Sequence, residues 1–508
     1  MKVRLMHPDR DFDLAAPGLR DAQALTEDLE LEMLLGAMAG ENPFVLHVSR
    51  QALLSGLGCA ADAILYRQDV LKDCLKNPAV VRELYGLAVE AVARKKERWL
   101  GIFSRFPDGI LHEALALLRL FVGALRTLKA VADAQADRFE SAGFKALFAM
   151  LRKEFSPEYF AHIQDHVAAL RFDDGVLLSA ELGQASEGVH YVLRRARHKG
   201  PHWLKRLLGL GPDAYTFRIH ERDEAGARIL SDIRERGINL VANALAQSTD
   251  HILSFFQVLR TELAFYVGCL NLSDRLAAMG APICFPRPEA AGTHNRRFRG
   301  LYDVCLVLTL GRRAVGNDLD ADGKGLVVIT GANRGGKSTF LRAVGLAQLM
   351  MQAGMFVGAE SFAAELCAGL FTHYKREEDA TMRRGKLDEE LARMSELVDT
   401  IAPHSMLLFN ESFASTNERE GSEIARQIVG ALLERRVTVY FVTHLYDFAR
   451  SLFDRRIEQA LFLRAERLDD GTRTFRLVEG GPLETSYGED LYARIFAVGT
   501  ETRGAEAS

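Results

Sequence analysis

The chain has 508 residues with 48% hydrophobic and 26% charged side chains, the ordinary balance of a soluble folded protein of about three domains. Its net charge is −4, so no global basic field exists and nucleic-acid contact would have to come from a local patch. The six cysteines form no C-x-x-C pair, which argues against zinc or redox chemistry and suits a reducing, cytoplasmic setting. The N-terminal stretch lacks a signal-like apolar core, and no apolar run reads as long enough to cross a bilayer, so no membrane role is expected.

From about Asp21 to Leu100 the chain reads as helices. Leu29, Leu31, Met33, Leu34, Leu35 and Met38 form a dense apolar pattern, and Ile64, Leu65, Val70, Leu71 and Leu75 fall near one face. After a turn expected at Pro107–Asp108–Gly109, Leu111, Leu115, Leu118, Val122, Leu125 and Leu128 continue at helical spacing. This is the pattern of long packed helices, whose apolar stripes are core.

Near Leu170 the texture changes. Asp173–Asp174–Gly175 separates two β-prone runs, which predicts a hairpin, and Tyr215–Ile219 is a candidate third strand. Between them Arg194, Arg195, Arg197, Lys199, Lys205 and Arg206 crowd together with His198, His202 and Trp203. Such a cluster can track a phosphate backbone; a solvated charged loop has the same composition. Helical pattern returns near Asp223, with an apolar stripe through Ile252, Phe255, Phe256, Leu259, Leu263, Tyr266, Val267 and Leu270. The Pro- and Gly-containing run Cys284–Gly300 reads as a domain junction.

Leu326–Thr330 is a short β-branched apolar run, followed by Gly331, Gly336, Lys337 and Ser338 at the spacing G-x-x-x-x-G-K-[ST]. Glycines let backbone N–H groups close on phosphates; Lys337 adds a charge for the β- and γ-phosphates, and Ser338 can ligate Mg²⁺. The loop Gly331, Ala332, Asn333, Arg334, Gly335, Gly336, Lys337, Ser338 and Thr339 is thus the candidate ATP cradle, with a helix opening at Thr339 aimed at the same anion. A second core strand, Met406–Phe409, ends in Asn410 and Glu411. Glu411 is placed to orient the attacking water, and with Ser338 and Asn410 makes up the candidate metal site. An amide at 410, where phosphate-loop ATPases usually carry Asp, offers only a neutral oxygen and predicts weak Mg²⁺ coupling or slow turnover. A third strand, Val437–Thr443, ends at His444, on the ligand edge of an open sheet.

These segments together resemble the MutS family of DNA mismatch-repair ATPases. GANRGGKST at Gly331–Thr339, NESFASTNEREG at Asn410–Gly421 and Thr443–His444 look like its phosphate loop, acidic strand with D-loop, and switch histidine. Gln352–Glu360, Ser486–Gly488 and the stripe Phe255–Leu272 look like further family segments. The resemblance implies an α/β ABC-type P-loop ATPase domain at 299–508, preceded at 1–298 by a mostly helical lever domain with a β-containing basic insertion near 168–221. It implies a homodimer in which Gly385, Lys386, Ser415 and Thr416 face the partner's nucleotide, with Lys386 a candidate trans charge. Lys337, Glu411 and His444 would be the catalytic set. The chain reads as a short member with no room for the mismatch-reading and connector domains. Its expected function is an ATP-driven clamp on duplex or branched DNA; a nucleotide-gated switch that holds a protein partner is the rival. Phe298 and Tyr302 are candidates for stacking adenine, though core packing explains them as well.

Overall fold

The computed structural model describes residues 1–16, 22–98, 106–172, 175–184, 187–194, 217–220, 222–376 and 385–484. The chain forms two compact units. One comprises Met1–Val3, Arg82–Phe139 and Phe144–Arg260; the other comprises Arg4–Val81, Glu140–Gly143 and Thr261–Ser508. Three of the boundaries fall inside helices, Pro78–Arg98, Ala142–Glu154 and Glu224–Ala278.

The first unit is mainly helical. In helix Pro107–Gln135 the expected stripe from Leu111 to Leu128 is buried. The Pro107–Asp108–Gly109 turn is instead the first turn of that helix, since Pro at the first helical position has no N–H to lose and Asp favours the positive end. Strands β1 (Leu178–Leu182) and β2 (Gly188–Leu193) pair antiparallel as a two-stranded sheet. The hairpin lies later than Asp173–Gly175 predicts. Asp173 and Asp174 lie outside the described residues; Gly175, at φ 91°, donates its N–H to the Phe172 carbonyl. Residues 217–220 are not strand, so of the expected Tyr215–Ile219 strand the described part does not form. In helix Glu224–Ala278, Gly237 leaves room for Leu178 of β1 to lie against its backbone.

The second unit is built on a six-stranded sheet. With β3 Arg287–Glu289, β4 Arg296–Leu301, β5 Asn317–Asp320, β6 Leu326–Gly331, β7 Ser361–Glu365, β8 Leu370–Tyr374, β9 Met406–Asn410, β10 Thr438–Val442, β11 Ala460–Arg467 and β12 Arg473–Glu479, its order is β12-β11-β6-β10-β9-β8. All neighbours are parallel except the edge pair β11–β12. Parallel strands covered on both faces read as unbroken apolar runs, which is why β6, β9 and β10 lack alternation. On one face Leu326, Val328, Leu407, Phe409, Val439 and Phe441 pack on helices Lys386–Thr400, Glu418–Glu434 and Tyr446–Asp454. From Phe340 on, helix Lys337–Gln352 is buried on all sides except at Arg342, which accounts for its mostly apolar sequence there. At Gly345 an added Cβ would lie 2.8 Å from both Leu408 of β9 and Leu29. Leu29, just after helix Ala22–Asp28, thus meets this helix, and residues 4–81 fall in the same compact unit as the sheet.

The stretch 284–300 is not a loose junction. It contributes β3 and β4 to a second sheet of order β3-β7-β4-β5, and a boundary at 298/299 would cut β4 between residues paired with Phe362 and Ser361. Helix Glu224–Ala278 is long and apolar enough to cross a membrane by length and composition, but 72% of its most apolar stretch is buried within the protein, as in a core helix.

Candidate functional site

Parallel pairing sets Val442 of β10 level with both Ile329 of β6 and Asn410 of β9. The residues after these three strands therefore meet at one edge. The phosphate loop follows β6 and enters helix Lys337–Gln352 at Gly336, which caps it at φ 90°. Gly331 has φ 105°, and a Cβ there would lie 2.8 Å from the Ala465 nitrogen of β11. Glycine is required here both for the backbone conformation and for the close approach.

The Lys337 ammonium, largely buried, donates to the carbonyls of Gly331 (2.9 Å) and Ala332 (3.0 Å). Burial pushes its pKa down to about 8, while the charge of Glu411 opposes that shift and Arg473 adds to it. Ser338 Oγ donates to Asn410 Oδ1 at 2.9 Å. Glu411 has a left-handed backbone, φ 56°, with its N–H on the Val442 carbonyl at 2.9 Å. Its Oε1 lies 3.4 Å from His444 Nε2. Hydrogen bonding from His444 holds the Glu411 carboxyl below its usual pKa against the effect of burial, with the charges of His444, Lys337 and Lys375 helping. The structure thus gathers Gly331 to Thr339, Asn410, Glu411 and His444 at one sheet edge.

The loop after Glu411 is braced from within the chain. Phe413 is also left-handed, φ 63°. Glu390, buried on helix Lys386–Thr400, accepts from the Phe413 N–H (2.8 Å) and the Ser415 hydroxyl (3.0 Å). The Thr416 hydroxyl is bonded to Glu420. Gly385 caps the helix that begins at Lys386. Thr381–Arg384, Arg195, Arg197, Lys199, Lys205, Arg206 and Ser486–Gly488 lie outside the described residues. Arg194, at the end of β2, donates from Nε to Ser179 Oγ at 2.8 Å. Phe298 stacks on Phe362 at 5.7 Å and the Tyr302 hydroxyl donates to the Pro282 carbonyl, with both side chains buried. They are core, and neither offers a face to an adenine.

Two cationic residues at this edge carry no motif. Lys375 directly follows β8 and donates its backbone N–H to the Asn410 carbonyl at 3.0 Å. Arg473, at the start of β12, donates from Nε to the Asn333 carbonyl at 2.8 Å. Strand order alone brings them here, and no local spacing announces it.

Ser338 Oγ and Asn410 Oδ1 are hard oxygens, a fit for Mg²⁺. Among the described residues no group of three or more His, Cys, Asp and Glu forms a metal cluster. A cation here would therefore lean on the nucleotide and water for its remaining ligands.

The family model for the MutS2 N-terminal domain matches residues 60–279, and that for MutS domain V matches residues 327–498. The chain belongs to the MutS family. The DNA mismatch repair protein MutS of Syntrophomonas wolfei is 30% identical over 193 residues, covering 37% of this chain and 22% of that protein. The Endonuclease MutS2 of Thermus thermophilus is 29% identical over 268 residues, 53% of this chain and 32% of that protein. The matches thus span 22% and 32% of the length of these MutS-family relatives.

Proposed function

We propose that this MutS-family chain is an ABC-type P-loop ATPase that works as a homodimeric clamp on duplex or branched DNA, in mismatch-repair-type work in the cytoplasm. The observation that carries the reading is the meeting of the glycine loop, Asn410–Glu411 and His444 at the C-terminal edge of a parallel sheet in a MutS-family chain. In this reading the compact unit that carries the six-stranded sheet is the ATPase part, the mainly helical unit is the part that moves with it, and helix Glu224–Ala278 has residues in both.

The N–H groups of Ala332 to Thr339 and the Lys337 ammonium bind the phosphates, with helix Lys337–Gln352 turning its positive end to them. Ser338, Asn410 and Glu411 would hold Mg²⁺, which when bound neutralises charge on the phosphate oxygens. Glu411, kept ionised by His444, orients the attacking water and accepts hydrogen bonding from it. His444, next to that carboxylate, senses the γ-phosphate. In the dimer Lys386, with Gly385, Ser415 and Thr416, faces the nucleotide of the other protomer. The Arg194–Arg206 run is the proposed DNA grip.

A binding panel tests this. Wild type and Lys337→Ala are titrated against duplex and branched DNA, with and without ATP, over a range of salt. Wild type is expected to bind in a salt- and ATP-dependent manner, and Lys337→Ala to lose the ATP effect. Nucleotide binding and hydrolysis without any DNA binding would leave a nucleotide-gated protein switch in place of the clamp.

A further inference from the structure

We propose that Glu390 is a positioning residue for hydrolysis: from helix Lys386–Thr400 it holds the left-handed turn that carries Glu411, and so sets where that carboxylate stands. The inference rests on the reading of Glu411 as the group that orients the attacking water. It begins with the backbone. Glu411 at φ 56° and Phe413 at φ 63° place two left-handed residues with side chains inside three positions. Such a conformation persists only where the surroundings fix it. The start of the turn is fixed by the Glu411 N–H bond to the Val442 carbonyl. Its far end, Phe413 to Ser415, belongs neither to β9 nor to helix Glu418–Glu434, so no ladder or helix bonds hold it.

Glu390 supplies the missing hold. Its side chain is buried, with Oε2 accepting from the Phe413 N–H at 2.8 Å and Oε1 from the Ser415 hydroxyl at 3.0 Å. Each oxygen serves one donor, so a single carboxylate spans the turn. Phe413 is fully buried, its ring stacked on His373 at 5.4 Å and 6.0 Å from Phe409. Its N–H is out of reach of solvent, and loss of Glu390 would leave that donor buried and unpaired. The Phe413 carbonyl lies where a Cβ on Gly421 would collide with it, so helix Glu418–Glu434 closes the turn from the other side. Glu390 is itself tied to the sheet: its carbonyl lies 3.0 Å from Nε2 of His373, on β8. A turn released at Phe413 is free to rotate the peptides before it, and that motion carries Glu411 Oε1 away from His444 Nε2, now 3.4 Å distant. Lys386, the proposed trans charge, lies one helical turn before Glu390 on the same helix.

The test pairs steady-state ATP hydrolysis with calorimetric ATP binding on the full chain, below the melting temperature of every variant. Glu390→Ala is expected to lower kcat by about 10–100-fold, the cost of a misplaced catalytic group, with ATP affinity within about threefold of wild type. Glu390→Gln keeps an oxygen for the Phe413 N–H and an amide N–H for the Ser415 hydroxyl, and is expected to hold kcat within about threefold of wild type. In a Glu411→Gln background, Glu390→Ala is expected to lower the residual rate by less than about threefold, because it acts through Glu411. Where Glu390→Ala fails to fold, Glu390→Asp, one methylene short of both donors, enters the same comparisons with the same expected pattern. Affinity that falls in step with kcat overturns the inference. So does an undiminished loss in the Glu411→Gln background, or a Glu390→Gln variant no faster than Glu390→Ala. Glu411→Gln that binds ATP and hydrolyses it at the wild-type rate defeats the reading of Glu411 itself, a result distinct from these.

Discussion

Glu411 is the residue on which turnover depends in this scheme. It stands in a left-handed backbone conformation, unusual for a residue with a Cβ and worth on the order of 1 kcal/mol of strain. Its N–H bond to Val442 and its contact with His444 hold it there. Glu411→Gln keeps the size of the side chain and removes the charge. Nucleotide binding should survive, and phosphate release should fall by about 10²–10⁴-fold. Equal loss of binding and hydrolysis would mean that Glu411 shapes the cradle rather than serving the water. His373 nearby illustrates a buried polar group with no such task. Burial, with the Arg393 charge, lowers its pKa to about 4, so it is neutral; Nε2 then donates to the Glu390 carbonyl, and Nδ1 lies 2.8 Å from the Ser412 hydroxyl oxygen.

At the scale of elements, two contacts decide how 4–81 join the sheet. The first is the crossing at Gly345, where Leu29 and Leu408 occupy the space a side chain would need. Gly345→Ala gains helix propensity but overpacks this crossing, and a net destabilisation of about 1–3 kcal/mol is expected in thermal or urea melts. The second is Glu262, buried in helix Glu224–Ala278, which accepts from the N–H groups of Leu5 (2.5 Å), Met6 (3.3 Å) and Phe12 (2.9 Å). Burial raises its pKa to about 7 in spite of those bonds. The folded carboxyl therefore holds its proton where the unfolded one, near 4.5, has lost it. Stability from this group is full below the unfolded value, declines as pH rises toward 7, and is level above it. Urea unfolding of wild type should show this decline, on the order of 1–3 kcal/mol, and Glu262→Gln should lack it. Parallel pH profiles for the two proteins would remove Glu262 as the cause.

At the scale of the whole molecule, the scheme requires a second protomer. Lys386→Ala should leave ATP affinity of dilute protein unchanged and lower the hydrolysis rate per site by about tenfold or more as concentration promotes dimers, as for loss of a trans cation. Unchanged concentration dependence in steady-state assays would exclude the trans role. The DNA grip makes a separate demand. Replacing the basic residues of 194–206 with Gln should flatten the salt dependence of duplex binding by about 0.9 in log–log slope for each phosphate no longer neutralised. An unaltered slope would move the grip elsewhere.

What the sequence determined by itself is local chemistry. A strand, a glycine turn and a helix start are dictated by residues a few positions apart, so the loop Gly331–Thr339 and the ends of β9 and β10 could be read directly, as could the stripes of Leu111–Leu128 and Ile252–Leu270. Tertiary structure alone decided the rest. Pro107–Asp108–Gly109 could be a turn or a helix start, and helix packing chose the second. The run 284–300 has a linker's composition but finds partners in β5 and β7. Residues 4–81 show ordinary helical periodicity, which names a buried face but not what covers it; Leu29 meeting Gly345 does. Arg473 lies 140 positions from Asn333 and reaches it only because β11 pairs with β6 and β12 folds back on β11. Periodicity and spacing act over a few residues, whereas a contact of that separation is set by strand order and packing.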